Sequence, residues 1–234
     1  VEERALETPL SFEAKSNFSY RQLRMDDAIE QAKLWAIDEP FASRPLSSLA
    51  YLFCLVEDFE QAQLAAEKAE ALEDHQTSSH RLNVLFAKIQ QGKLEGVAEE
   101  LMGLGKTEAA RDNAAHILAN VGALLYAMGD REGGRDAYRK AIGAAKLKGD
   151  RRLESLASAY FARAAHLHDD SSAHAVMKEV SSVIEASADP GAVFLLRRLA
   201  DSEARKRLDS VAKKMVSRRE WIWDAATNTL RPKT

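Results

Sequence analysis

Cysteine occurs once in the 234 residues, proline five times and glycine eleven, and no stretch approaches the roughly 18 consecutive apolar residues of a membrane-crossing helix. A single thiol cannot close an internal disulfide. Set in Tyr51-Leu52-Phe53-Cys54-Leu55, Cys54 reads instead as a small buried hydrophobe. Long alternating runs of Val, Ile and Thr, the mark of half-buried strands, are missing as well. The first thirty residues carry Glu2, Glu3 and Glu7 and no apolar run, so no secretory signal is read there. The expected compartment is reducing and cytoplasmic, away from membranes. Opening on Val1 instead of Met, the chain is expected to be a piece of something longer. What is plentiful is helix-forming: Ala, Leu, Glu, Lys and Arg dominate. Hydrophobic residues at 46% and charged residues at 29% are ordinary for a chain that folds around a core.

A repeat runs through this composition. The segment Met25-Asp26-Asp27-Ala28-Ile29-Glu30-Gln31-Ala32 realigns 34 residues on with Asp58-Phe59-Glu60-Gln61-Ala62-Gln63-Leu64-Ala65-Ala66, Ala28 falling on Ala62 and Ala32 on Ala66. Gly92-Lys93-Leu94-Glu95-Gly96-Val97 follows with Val97 in the alanine position. The fourth unit is the clearest: Leu118 to Asp130, with Gly122, Tyr126 and the Gly129-Asp130 turn, continuing through Gly134, Tyr138 and Ala141. Two antiparallel helices approach closely only where one sets a small residue against the other's large one. Ser16, Ala50, Leu85 and Gly122 hold that position in the first helices, Leu85 being the departure; Ala28, Ala62 and Gly134 hold it in the second. A period of this length means stacked units that cannot bury their apolar faces alone.

The pattern resembles the tetratricopeptide repeat over about residues 12 to 165, closely in the fourth unit and weakly in the third. Pro40 falls where that family often ends its second helix. A fifth unit is expected from Leu153, Leu156, Ala157, Tyr160 and Phe161, partnered by Ala173 to Ile184, with Gly149 stopping the helix before it. The resemblance implies an all-α fold: a right-handed superhelix of about five helical hairpins over residues 1–188. Closing helices of the same solenoid are expected over 189–226, and a frayed tail over 227–234.

Character changes after Asp189-Pro190-Gly191. Residues 193–234 hold 11 Lys and Arg against 5 Asp and Glu, a net +6 against −9 for the rest of the chain. Arg197, Arg198, Arg205, Lys206, Arg207, Lys213, Lys214, Arg218 and Arg219 could touch phosphates. Interleaved Asp201, Glu203 and Asp209 make a solvated helix face the simpler account, so nucleic acid is not the expected partner. Trp221 and Trp223 offer a second alternative, self-association through a second copy of the chain.

Chemistry-bearing patterns are few. Gly103-Leu104-Gly105-Lys106-Thr107 lacks the first glycine of a phosphate loop, its place being taken by Glu100, and Val97 to Leu101 reads as helix where a strand is required. His166, His168, Asp169, Asp170 and His174 cluster at a helix end, where capping and the helix dipole favour such residues without a metal. No nucleophile stands in a recognisable turn. No catalytic residue, cofactor or metal is assigned, and the chain is not expected to be an enzyme.

The resemblance implies a concave groove lined by the first helices, where such repeats hold peptides. Carried onto this chain, the groove positions are Asn17, Tyr20 and Arg21; Arg44, Ser47 and Tyr51; Asn83, Phe86 and Gln90; His116, Asn120, Ala123 and Tyr126; and Arg151, Glu154 and Phe161. Asparagine and arginine can grip a peptide backbone or carboxylate, and tyrosine gives contact area at low entropy cost. The lysine and asparagine clamp by which relatives hold chaperone tails is not reproduced. The expected role is an adaptor, scaffold or regulatory module that binds a protein or peptide, as part of a larger protein.

Overall fold

The computed structural model describes residues 11–73, 78–107, 110–200, 208–213, 221–224 and 229–232. The chain runs through α1 (Phe12–Arg21), α2 (Met25–Asp38), α3 (Ser43–Val56), α4 (Phe59–Ala71), α5 (Ser78–Gln90) and α6 (Val97–Leu104). It continues through α7 (Ala110–Ala127), α8 (Arg131–Leu147), α9 (Arg151–Leu167), α10 (Ala173–Ser187) and α11 (Pro190–Leu199). Residues 208–213 add a short helix, α12. Each of α1 to α11 packs on its neighbour in the chain, so the described body is helical, as its composition implies. The third unit, whose repeat match is weakest, has the shortest second helix: α6 is 8 residues long.

The end of the chain differs from expectation. Trp221–Asp224 (β1) pairs antiparallel with Thr229–Pro232 (β2), Trp221 opposite Pro232, where a helical cap and a frayed tail were expected. Trp-Ile-Trp favours a pleated backbone over a helix. Arg205, Lys206, Arg207, Lys214, Arg218 and Arg219 lie outside the described residues, as do the side chains of Trp221 and Trp223.

Acidic turns set the helix starts. Asp58, Asp130, Asp150 and Asp189 each accept a backbone N–H from three residues on, at 3.2, 2.9, 2.9 and 2.9 Å, satisfying a donor that the first turn leaves free. In front of two of them Gly129 and Gly149 take the left-handed conformation, at φ +88° and +71°. Glu57 takes the same conformation before Asp58 without being a glycine, at φ 67°. That costs a residue with a Cβ about 1–2 kcal/mol. Its carboxylate meets the Arg163 guanidinium at 2.9 Å and Arg198 at 3.6 Å; a charge-assisted bond of the first kind contributes about 1.5–3 kcal/mol, enough to offset the strain.

Small residues sit against large ones at the helix crossings. A Cβ on Gly122 of α7 would come within 2.6 Å of the Tyr138 ring of α8, and one on Gly134 of α8 within 2.5 Å of the Tyr126 ring of α7. The two tyrosines are thus received by each other's helices. Phe161 of α9 stacks on Tyr138 with ring centroids 5.4 Å apart, and this aromatic cluster joins three helices. In the first pair the same exchange carries a hydrogen bond, because Ser16 Oγ donates to the carbonyl of Ala28 at 2.9 Å. Ala50, Ala62 and Leu85 are all buried. Cys54 is buried too, and burial pushes its thiol up to about 12, which keeps it protonated.

The end of the helical body returns to its beginning. The N–H of Gly191, at the head of α11, donates to the Tyr20 hydroxyl of α1 at 3.0 Å. Tyr20 is bonded in turn to the Tyr51 hydroxyl of α3 at 2.8 Å. From α9, the Tyr160 ring meets Phe86 of α5 edge to face at 4.8 Å. Arg163 donates to Glu57 and to Gln90 and lies over the Phe59 ring. Val193, Leu195 and Leu196 of α11 are buried, so this last long helix belongs to the core.

Two glycine substitutions separate packing from propensity. Gly122→Ala, driven into the body of a held ring, is expected to lower stability by about 1–3 kcal/mol. Gly143→Ala, on α8 with nothing within 4 Å of its Cβ, is expected to raise it by about 0.5–1 kcal/mol. Denaturant unfolding of both variants checks the pair, and equal effects would remove the crossing as the cause.

Candidate functional site

One cavity brings the first helix of every pair to a single place. Its volume is about 430 Å3. Ser16, Asn17 and Tyr20 come from α1; Ser47, Ser48, Tyr51 and Leu52 from α3; Asn83 from α5; and His116 from α7. Asp150, Arg152, Leu153 and Leu156 come from the start of α9. Most of these side chains stand on the face of their helix turned away from its partner, while Ser16 and Leu52 reach the cavity from the packed interior.

Of the residues expected in the groove, Asn17, Tyr20, Ser47, Tyr51, Asn83 and His116 line this cavity. Others are placed elsewhere. Tyr126 is fully buried, its ring in the aromatic cluster and its hydroxyl donating to Asp170 at 2.8 Å, so no partner can reach it. Phe161 and Ala123 are core residues as well. Asn120 is buried and donates to the His116 carbonyl at 3.0 Å. Phe86 and Gln90 are taken up by Tyr160 and Arg163 of α9. Arg44 leaves the cavity for Glu13 and the Trp35 ring. Arg21, Arg151 and Glu154 do not line it either. On α9 the position that faces inward is Arg152, one residue after the arginine expected there. Asp150, Ser48 and Leu156 escape a pattern-based reading because they occupy a cap, a hydroxyl and an apolar position of no special spacing.

Most polar groups around the cavity are already engaged. The Tyr20 and Tyr51 hydroxyls bond each other, and burial pushes both phenols above their ordinary range, which keeps them protonated. Arg152 lies over the Tyr51 ring at 4.8 Å, with its Nε 4.0 Å from Asp189. One Asp150 oxygen caps α9 at Leu153. His116 is open to the cavity yet crowded by protein, and that burial pushes its imidazole below the ordinary value. Asp150 opposes the shift, while Arg152 and Lys148 add to it.

Ser47 is the end of a relay. His80, buried, sits 3.2 Å from Ser47 Oγ through Nδ1 and 2.8 Å from Glu73 through Nε2. A carboxylate only accepts, so Nε2 carries the hydrogen toward Glu73. Ser47 Oγ thus lies between two partners, His80 Nδ1 and the Ser43 carbonyl, the latter 2.9 Å away. Glu73 also accepts from Ser43 at 2.9 Å. Nucleophile, base and carboxylate stand here in order, with Ser47 one turn inside α3 and its hydroxyl bonded to the Ser43 carbonyl. What the relay supplies is a tie between α3 and α5.

The histidine and aspartate cluster after α9 is organised by Asp170. Its carboxylate, closed off from solvent, accepts from Tyr126, from Arg135 at 2.8 Å and from the Ser172 backbone and hydroxyl at 2.8 Å each. His166 and His174 are exposed at the surface. Among the described residues no three His, Cys, Asp or Glu side chains come together as a metal site, and no helix is long and apolar enough to cross a membrane. Before Gly105-Lys106-Thr107 stands helix α6, in place of the strand that a phosphate loop needs.

No protein-family model matches the chain, and no curated protein matches its sequence.

Burial alone would push Asp170 up, but the bonds from Ser172, Tyr126 and Arg135 hold it well below the usual carboxylate range. A carboxylate depressed on folding stabilises the protein above its unfolded pKa of about 3.9, and that stability is lost as pH falls through the lower folded value. Asp170→Asn is therefore expected to cost about 2 kcal/mol near neutral pH. The gap to the wild type should shrink below about pH 4. Unfolding midpoints of both proteins at pH 7 and pH 3 check this; a gap independent of pH would mean that the ionised form is not what holds the cluster.

Proposed function

We propose that the chain is a non-covalent binding module of tetratricopeptide type, a superhelix of about five hairpins that holds a segment of a partner protein against its first helices. The single observation that carries this reading is the cavity to which α1, α3, α5, α7 and α9 all contribute. A repeat has no packing need to leave its inner face polar and unfilled along its length. A cavity of about 430 Å3 lies within the range that binds ligands, roughly 300–1,000 Å3. Its chemistry is that of recognition, with carboxamides, hydroxyls and an imidazole presented on rigid helices. The strand-forming end and the basic segment before it take no part in this reading.

A displayed library of random peptides, selected on the wild-type chain, tests the site. Selected peptides are expected to lose at least tenfold in affinity on Asn83→Leu, with the helical content of the variant unchanged. Peptides that bind the variant as well as the wild type would move the functional surface away from the cavity.

A further inference from the structure

Whatever enters the cavity must be matched to the groups still free there, and those groups are neutral. Asn17 and Asn83 reach it from α1 and α5, and neither carboxamide is bonded to another side chain or backbone group among the described residues. Ser48 adds a hydroxyl in the same position. His116 adds an imidazole whose titration burial shifts below its ordinary value. Only two lining residues carry formal charge, Asp150 and Arg152, and they are of opposite sign. Each has a prior commitment: Asp150 to the first turn of α9, Arg152 to the Tyr51 ring and the Asp189 carboxylate. Asp189 is itself buried behind that wall, so an anion drawn to Arg152 would also approach a second carboxylate.

A carboxylate entering this space meets the Asp150 and Asp189 carboxylates against the single guanidinium of Arg152, and so finds no net counter-charge. An uncharged group that both donates and accepts fits what is offered. A carboxamide can pair with another carboxamide through N–H to O bonds in both directions, using the two free asparagines on opposite sides. The Tyr20 and Tyr51 hydroxyls, facing the head of α11, close the floor. A helix of about 10 Å diameter does not fit a space of this size, whereas one side chain and its backbone do.

Resting on the partner-site reading above, we propose that the cavity selects an uncharged carboxamide, the side chain of an asparagine or glutamine in the partner segment, over a carboxylate. Nuclear magnetic resonance titration of the full chain with N-acetylglutamine amide, N-acetylglutamate amide and glucose tests it. The glutamine probe is expected to shift the side-chain amides of Asn17 and Asn83 and the His116 ring saturably. The glutamate probe is expected to bind at least tenfold more weakly. Asn83→Leu should abolish the shifts while leaving the remaining spectrum in place, and Asn17→Leu, at an exposed position, serves if the first variant does not fold. Equal or tighter binding of glutamate, shifts with glucose alone, or no shift with the glutamine probe would each overturn the proposal. The same library peptides keep the two readings apart. Peptides that need the cavity but tolerate glutamate for glutamine overturn the charge selection and leave the partner site standing, whereas peptides indifferent to the cavity overturn the site.

Discussion

Gly191 has no side chain, and the return of the chain onto its first helices depends on that. An added Cβ would fall on the Tyr51 hydroxyl, well inside van der Waals distance, with the Tyr20 hydroxyl and the Leu55 side chain beside it. Moving Tyr51 away is not cheap, because Tyr20 holds its hydroxyl and Arg152 covers its ring. With glycine there, the backbone N–H reaches Tyr20, Asp189 caps α11, and Val193, Leu195 and Leu196 enter the core. The second closure, by Arg163, is built differently. A buried guanidinium is tolerable only because Glu57, Gln90 and the Phe59 ring all receive it, and losing one partner of such a pair leaves an unmatched charge at a cost of about 3–5 kcal/mol. One closure rests on the absence of atoms, the other on their full engagement.

The helical body was legible because its determinants are local or nearly so. Gly129-Asp130 and Gly149-Asp150 announce a helix stop and start within two residues, and Gly122 opposite Tyr138 is a small-for-large exchange between neighbours in the chain. Closure was not legible. Glu57 and Arg163 are 106 residues apart, and Gly191 and Tyr20 are 171 apart. Nothing in the periodicity of either segment points to the other. Glu57 does carry a signal in retrospect: it stands where the later units place a glycine, and a side chain kept at a left-handed position is kept for its contacts.

The site was legible in part. Asn17, Tyr20, Ser47, Tyr51, Asn83 and His116 came from the groove positions that the tetratricopeptide resemblance implies, and such a carry-over holds while the helix phase is known. On α9 the phase slipped by one residue, from Arg151 to Arg152, which turns a side chain by about 100°. Tyr126 failed on a different ground. Its register is sound, but an aromatic opposite a glycine is pulled into the crossing by packing, and Gly134 leaves room for the ring there. Phe86 and Gln90 failed because α9 covers the positions that an open stack would expose. A prediction that treats every first helix as equally open cannot see that a later helix folds back over an earlier one.

That fold-back sets the character of the cavity. Were the stack open, the inner faces of α1 and α3 would meet solvent along their length, and Arg152 and Asp189 would be free to attract charged segments by long-range steering. With α11 lodged against Tyr20 and Tyr51, Arg152 lies between the Tyr51 ring and Asp189, and the other polar groups facing inward are asparagine, serine, His116 and Asp150. Charge balance here follows from the closure: each ionic group near the cavity has structural work to do. In the proposed binding role, recognition is left to hydrogen bonds, which fall off within an ångström or so of ideal length and reject a mispaired donor or acceptor. A site of this kind discriminates by the pattern of donors and acceptors more than by charge, and its geometry is only as firm as the two contacts, at Gly191 and Arg163, that hold the two ends of the body together.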